Sequence, residues 1–147
     1  MKRMSVLAAG LLLGAGLSAA AEKTVLHCFA YSPVGTATQA DWDAFHKATD
    51  ELPTKIKGLQ RVWVGKLARP LNQYSLTNAE QRKTITAAGK GTGDVSLMRR
   101  EYGVCMEFAD EAAFKAYDAD PAHKTWVEAY GKVRVPGTTT YQIIPNR

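Results

Sequence analysis

Residues 101–123 read EYGVCMEFADEAAFKAYDADPAH, and the order of signals in this stretch decides the fold. Its first part, EYGVCMEFA (101–109), is rich in aromatic and β-branched residues and predicts a strand. Asp110 follows at once and predicts the start of a helix, because its carboxylate can accept a hydrogen bond from a backbone N–H of the first turn. Asp120 with Pro121 predicts a second start, since proline suits the first helical position. The stretch therefore predicts a strand followed by two short helices.

Three more strands and one longer helix complete the pattern outside this stretch. The predicted strands are TVLHCFAY (24–31), LQRVWVGKL (59–67) and GTTTYQIIP (137–145). QADWDAFHKATDEL (39–52) is predicted as a helix, because four of its residues recur at helical spacing: Trp42, Phe45, Thr49 and Leu52. The order β-α-β-β-α-β predicts an α+β, ferredoxin-like fold with an antiparallel sheet and helices on one face.

The ends of the longer helix also have sequence signals. Thr38, with Asp41 three residues later, is typical of a helix N-terminus, where the two side chains and backbones can exchange hydrogen bonds. Pro53 is predicted to end this helix or to break it, because proline lacks the N–H that the helix interior needs.

A basic insertion separates the second and third predicted strands, at about residues 69–100. It contains six Lys/Arg against only Glu80 and Asp94, and it is much longer than a hairpin requires. The composition predicts a solvated loop, in preference to an anion-binding site. The loop is predicted to be either a functional lid or a disordered segment, with a helical turn around residues 78–86.

The N-terminus has the pattern of a cleaved export signal. Lys2 and Arg3 precede an uncharged run of Val, Leu, Ala and Gly that closes on AAA (19–21). Residues 1–21 are therefore predicted to be a signal peptide. Residues 22–147 are predicted to be a single domain, periplasmic or secreted, without a stable membrane anchor. The formal net charge of +5 includes Lys2 and Arg3, and export argues against nucleic acid as a partner.

The first strand predicts two sheet faces of different character, because side chains alternate along a strand. One set is predicted to face the helices: Val25, His27, Phe29 and Tyr31. The other set lies on the opposite, uncovered face: Leu26, Cys28 and Ala30. A bare and partly apolar sheet face needs a partner, so the pattern predicts a homodimer in which two such faces pack together.

Cys28 and Cys105 are the only cysteines of the sequence. An even pair in an oxidising compartment predicts a disulfide, and two buried free thiols are the alternative. In the expected strand order 4-1-3-2 the two strands are antiparallel neighbours. If Tyr102, Val104 and Met106 point toward the helices, Cys105 shares the uncovered face with Cys28, and some registers of the two strands then allow disulfide geometry. No spacing of Cys and His residues is typical of a metal site, so no metal is predicted.

Together these pieces resemble a known family, the stress-responsive α/β barrel domain (Dabb). The resemblance covers about residues 24–145, and the signal peptide and basic insertion depart from the common pattern. It rests on the element order and on these motifs: HCFAY (27–31), VWVGK (62–66), EFADEAAFKAY (107–117), DPAH (120–123) and TYQIIP (140–145). The resemblance implies a dimeric α+β barrel. Most members have no established reaction, whereas a plant member cyclises a linear polyketide without a cofactor.

The resemblance also implies site residues. Tyr117 and His123 stand where the cyclase has a tyrosine and a histidine that act together, so they are the predicted catalytic pair. His27 matches a pocket histidine on the first strand, and Tyr102 replaces another on the third. The apolar wall of the cyclase is not reproduced, because His46 and Thr49 occupy the positions of its aromatic residues. The predicted ligand-binding residues are His27, Phe29, His46, Tyr102 and Met106.

The predicted pair could support a reaction that needs no cofactor. His123 is predicted in the first turn of a helix, where the helix dipole favours the neutral imidazole that a general base requires. Tyr117 could donate a hydrogen bond to a substrate carbonyl and stabilise a developing enolate. Alternatively, the two rings are simply packed on the core face of the helices and bond to each other.

Three classes of function follow from these observations. The leading prediction is an exported homodimer that binds a small organic ligand between the sheet and the helices. The alternative is a cofactor-independent enzyme: a cyclase, a lyase, or a monooxygenase by analogy of fold alone. The third is an interaction protein that uses the basic segment at 69–100.

Overall fold

The computed structural model describes residues 23–145, and the predicted signal peptide lies outside them. In chain order the elements are β1 (Val25–Tyr31), α1 (Gln39–Lys55), β2 (Leu59–Leu76), α2 (Ala79–Ala88), β3 (Val95–Phe108), α3 (Glu111–Ala116), α4 (Pro121–Val133) and β4 (Thr139–Ile143). A short 3-10 turn, Tyr117–Ala119, connects α3 to α4. The strands form one antiparallel sheet of order β2-β3-β1-β4, which confirms the ferredoxin-like prediction.

The three predicted helix starts are present with their capping bonds. At α1, the Asp41 backbone N–H donates to Thr38 Oγ1 (3.2 Å), and the Thr38 backbone N–H donates to the Asp41 carboxylate (2.9 Å). At α3 the carboxylate of Asp110 accepts from Ala113 N–H, and at α4 that of Asp120 accepts from Ala122 N–H. Each cap contributes about 1 kcal/mol by satisfying backbone donors that the first helical turn leaves free.

The prediction that Pro53 ends or breaks α1 is wrong, because the helix runs through it to Lys55. Leu52 and Ile56 are both buried on the same side of the last turn. The Ile56 backbone N–H donates to the Leu52 carbonyl (2.9 Å), so the helical bond spans the proline. Burial of these two side chains stabilises the last turn and offsets the loss of the one hydrogen bond that proline removes.

The prediction of a loop at 69–100 is also wrong. Residues 71–76 of β2 pair with residues 95–100 of β3 beyond a register irregularity, and α2 lies between them, as the predicted helical turn indicated. We call residues 71–100 the ribbon. Asn78 caps α2, and Gly89 ends it with φ of 72°, in the left-handed region that glycine adopts readily. The strands therefore continue into the insertion, which is paired for much of its length.

The core lies between the sheet and the pair α1 and α4. Phe45 of α1, Trp126 of α4 and Phe108 of β3 are among its large buried side chains. Trp126 Nε1 donates to Thr49 Oγ1 (2.9 Å), and Thr49 donates to the Phe45 carbonyl (2.7 Å). The polar atoms that join the two helices are therefore satisfied inside the core.

Within residues 23–145, no helix covers the opposite side of the sheet, which we call the open face. Trp63, Tyr141 and Ile143 are 47%, 46% and 47% exposed there. Cys28 and Cys105 stand directly opposite each other on β1 and β3, with their sulfur atoms in contact and their Cα atoms 4.1 Å apart. Trp63 lies beside Cys105 on β2 and Tyr141 beside Cys28 on β4. The open face is thus an apolar surface centred on the two cysteines.

No helix within residues 23–145 combines the length and the apolar character needed to cross a membrane.

Candidate functional site

Two aromatic rings meet where α3 ends and α4 begins. The 3-10 turn after α3 holds Tyr117, which is 7% exposed, and the first turn of α4 holds His123. Asp120, the cap of α4, lies between them in the chain. The ring centroids of Tyr117 and His123 lie 4.4 Å apart with an interplanar angle of 59°. The structure thus brings together the two residues that the family resemblance paired.

Asp118 adds a carboxylate to this pair. His123 Nδ1 lies 3.6 Å from Asp118 Oδ1 and 3.5 Å from the Asp118 backbone carbonyl oxygen. Both are acceptors, so the geometry favours a proton on Nδ1 and leaves Nε2 with the free lone pair. Burial and, after it, the negative charge of Asp118 raise the pKa of the Tyr117 phenol, which therefore stays protonated as a donor. The imidazole of His123 is therefore subject both to the helix dipole and to the nearby carboxylate of Asp118.

His27 lies on the sheet side of the same site. Its ring centroid is 5.6 Å from that of Tyr117, and Gln142 Nε2 of β4 donates to its Nδ1 (3.0 Å). The proton of a neutral His27 is then on Nε2. Burial lowers the pKa of His27; the negative charge of Asp118 opposes this effect, and His123 adds to it. The ring is therefore a neutral, oriented imidazole near pH 7.

His27, Tyr117 and His123 line one cavity of about 190 Å³, which we call the aromatic pocket. Its apolar wall is formed by Phe29, Trp126, Val127 and Tyr130. Its polar groups come from His27, Tyr117, His123, Arg134, Thr138 and Thr140. An apolar wall with a few convergent polar groups is the usual composition of a small-molecule site.

The other predicted ligand-binding residues lie elsewhere. His46 and Tyr102 line a separate cavity of about 250 Å³ near Trp42 of α1. Met106 is 1% exposed within the core. Only His27 and Phe29 of the predicted ligand-binding set share the aromatic pocket with Tyr117 and His123.

Several residues of the site had not been identified from the sequence as functional. Asp118, Gln142 and Arg134 contribute polar groups. A signal for Arg134 was present, because Trp126, Tyr130 and Arg134 follow each other at intervals of four, although α4 itself ends at Val133. Gln142 had no such signal, since its contact with His27 depends on the pairing of β1 with β4.

No group of three or more His, Cys, Asp or Glu side chains within the described part of the chain converges as a metal site would require.

Comparison with known proteins shows similarity of structure only. No family model and no curated protein matches the chain. A dimeric ferredoxin-like protein of unknown function from Thermobifida fusca has a TM-score of 0.54 at 15% identity, over 84% of this chain and 92% of that chain. A Dabb family protein with a ferredoxin-like fold from Mesorhizobium loti has a TM-score of 0.52 at 15% identity, over 84% and 98%.

An enzyme shares the architecture as well. A hydroxynitrile lyase from Passiflora edulis has a TM-score of 0.55 at 14% identity, over 86% of this chain and 96% of that chain. The chain therefore has the ferredoxin-like fold that a Dabb family protein also adopts. At these identities the comparisons define the fold and leave the activity to the residues of the pocket.

Proposed function

We propose that the chain is an exported homodimer of the Dabb type that binds a small organic ligand in the aromatic pocket. The observation that carries the proposal is the convergence of Tyr117, His123 and His27 on one cavity between sheet and helices. A protonated phenol and two oriented imidazoles can bond to a carbonyl or hydroxyl group, while the apolar wall covers the rest of a ligand.

The open face supports the homodimer. Its apolar side chains are close to half exposed in the single chain, and burial of such a patch against a second copy would remove it from water. The structurally similar protein from Thermobifida fusca is described as dimeric. The aromatic pocket lies on the helix side of the sheet, so pairing of two open faces would leave it accessible.

Export rests on residues 1–21 alone. N-terminal sequencing of protein from the periplasmic or secreted fraction should begin at Glu22 if the predicted signal is removed there. An N-terminus at Met1 in that fraction would contradict cleavage.

Mass spectrometry of the purified protein tests ligand binding. We expect a small compound to be released on denaturation, and Tyr117→Phe and His123→Ala to reduce its amount. Tyr74→Phe is a matched control, because Tyr74 is 62% exposed on the ribbon, away from the pocket. Equal amounts of the compound in all three variants would contradict binding at Tyr117 and His123.

A second candidate function is proton transfer without a cofactor, favoured by the contact of Asp118 with His123 Nδ1. In this reaction His123 Nε2 takes a proton from a carbon next to a carbonyl. The electron pair of that C–H bond forms a carbon–carbon double bond, and the π pair of the carbonyl moves to its oxygen. Tyr117 donates a hydrogen bond to the oxygen as it becomes negative. The hydroxynitrile lyase of the same fold makes cleavage of a hydroxynitrile a second reaction to assay.

Proton transfer is testable without knowledge of the natural substrate. Exchange of hydrogen for deuterium next to the carbonyl of aryl ketones can be followed by NMR, and release of aldehyde from aromatic hydroxynitriles by absorbance. Loss of a general base lowers such rates by about 10²–10⁴-fold, which is the effect expected for His123→Ala. Equal rates in the wild type and His123→Ala would exclude the role of His123 as a base.

A further inference from the structure

A second polar cluster lies at the other end of the aromatic pocket. It consists of the guanidinium groups of Arg100 and Arg134 and the phenols of Tyr31 and Tyr130, and we call it the arginine cluster. Arg134 and Tyr130 line the same cavity as Tyr117 and His123, and Arg100 lies behind them on β3. Two positive charges therefore lie close together at one end of an apolar cavity, and a group of opposite charge is needed to balance them.

The side chains of the cluster are held in place by packing. Arg134, at the C-terminal end of α4, has its Cζ 4.6 Å from the ring centroid of Tyr130. The rings of Tyr130 and Tyr31 meet edge to face with centroids 5.1 Å apart. Arg100 is 3% exposed, and its Nε and Nη2 both donate to Gln73 Oε1 (3.1 and 2.9 Å). The guanidinium of Arg100 is therefore buried with a neutral amide as its hydrogen-bond partner.

Hydrogen-bonding capacity remains unused in each of the four groups. Arg100 Nη1, Arg134 Nε and the hydroxyls of Tyr31 and Tyr130 are buried without a protein partner in residues 23–145. The ion pairs of this part of the chain involve other residues and include neither Arg100 nor Arg134. A buried cation is costly unless an anion pairs with it, and a buried unbonded donor adds to that cost.

The electrostatics of the cluster agree with its geometry. Burial lowers the pKa of Arg100, and the positive charge of Arg134 lowers it further, whereas Tyr130 acts in the opposite sense. Burial raises the pKa of Tyr130, so its hydroxyl remains a donor at neutral pH. Arg134 and Tyr130 line the pocket and each has an unused buried donor, and an anion bound there would supply the missing acceptor and balance the charge.

We propose that the arginine cluster binds the carboxylate of an organic ligand whose other end reaches Tyr117 and His123. The inference rests on the proposed function, since it assigns the ligand of the same pocket to the class of carboxylic acids. A carboxylate suits the site because its two oxygens match the forked donors of a guanidinium. An organic acid suits it because Phe29 and Trp126 line the space between the two polar ends.

The alternative is a structural role for Arg134. Cations at the C-terminal end of a helix interact favourably with the helix dipole, and Arg134 Nη1 also donates to the Val135 carbonyl (3.4 Å). In that case Arg134→Gln would lower the stability of the ligand-free protein. It would leave the binding of acids unchanged, and also that of their neutral analogues.

Benzoate and its neutral analogue benzamide distinguish the two roles by calorimetric titration and by the shift in Tm. We expect benzoate to bind at least ten times more tightly than benzamide. Arg134→Gln should abolish this difference, and Tyr130→Phe, which removes only a hydroxyl, should reduce it severalfold. Lys132→Gln is the matched control: it removes an exposed cation of the last turn of α4 and should preserve the difference.

The outcomes separate this inference from the proposed function. Equal binding of benzoate and benzamide, or an undiminished preference in Arg134→Gln, would overturn the arginine cluster as a carboxylate site. Failure of both probes to bind would overturn it too, and the co-purified compound would still decide whether the pocket holds a ligand. Benzoate binding that Arg134→Gln abolishes and His123→Ala leaves intact would support the carboxylate site and contradict the role of His123.

Discussion

The two faces of the sheet differ although the same strands form both. On the helix side, Phe108 and Tyr31 are fully covered within one chain, and the polar groups converge on a pocket. On the open face, Trp63 and Tyr141 remain close to half exposed on either side of the cysteine pair. Because side chains alternate along a strand, one chain can complete only the face on which its own helices pack. Changes on the two faces should therefore affect different properties of the protein.

The largest effect is expected on the helix side, from Phe108→Ala. This change removes a fully buried ring that packs against Phe114 and Tyr117, and large-to-small changes of this kind cost about 3–5 kcal/mol. Urea unfolding followed by tryptophan fluorescence would measure it. Leu97→Ala on the ribbon is the control, because Leu97 is 57% exposed. A loss as small as that of the control would mean that Phe108 does not belong to the core.

The disulfide predicted between Cys28 and Cys105 should have the next largest effect. It would close a loop with a sequence separation of 77, and the double change to Ala should lower the free energy of unfolding by about 2–4 kcal/mol. Alkylation followed by mass measurement detects the bond directly: no adduct is expected before reduction and two after it. Two freely alkylated thiols in the unreduced, exported protein would contradict the disulfide.

A smaller effect, on association only, is expected from Trp63→Lys. A buried charge at the centre of the proposed dimer interface should raise the Kd for self-association by at least about tenfold, or about 1.4 kcal/mol. Sedimentation velocity measures this shift, with Leu97→Lys on the ribbon as the control. A wild-type protein that sediments as a monomer at micromolar concentration would refute the dimer itself.

The smallest effect is a pH dependence that His27 should impose on the helix side. Its pKa in the folded protein is lower than its ordinary value of 6.5, so the unfolded chain binds the proton more readily. The contribution of neutral His27 is fully present above pH 6.5 and is lost as the pH falls through 6.5 towards the folded pKa. His27→Asn should flatten this decline, because Asn does not titrate, and the Asn oxygen can still accept from Gln142.

The decline is measured as Tm between about pH 7 and pH 5. His46→Asn is the control, because His46 is exposed on α1. A slope that His27→Asn leaves unchanged would show that another group titrates.

Local signals predicted the elements that have local causes. Thr38, Asp110 and Asp120 start helices through bonds to residues two or three positions away, so their neighbours in the chain were sufficient evidence. The continuation of α1 past Pro53 and the pairing of 71–76 with 95–100 were not predicted. Both depend on contacts with residues that are remote in sequence, which a local pattern does not contain.

The candidate site shows the same difference between what local sequence predicts and what long-range contacts decide. The resemblance to a family identified Tyr117, His123 and His27, and the structure brings these three rings together. It separates them from His46 and Tyr102, which line another cavity. The arginine cluster was missed because Arg100 and Arg134 lie on different elements, at opposite ends of a stretch that contains α3 and α4.

The amino-acid order alone was enough to determine the alternation of strands and helices, the helix starts and the apolar stripes, since each arises from residues within a few positions of one another. Tertiary contacts decided which rings share a cavity, which strands extend into the ribbon, and which cations are buried without a counter-charge. Those properties depend on distances between segments far apart in the chain, and such distances exist only after the sheet and helices have packed.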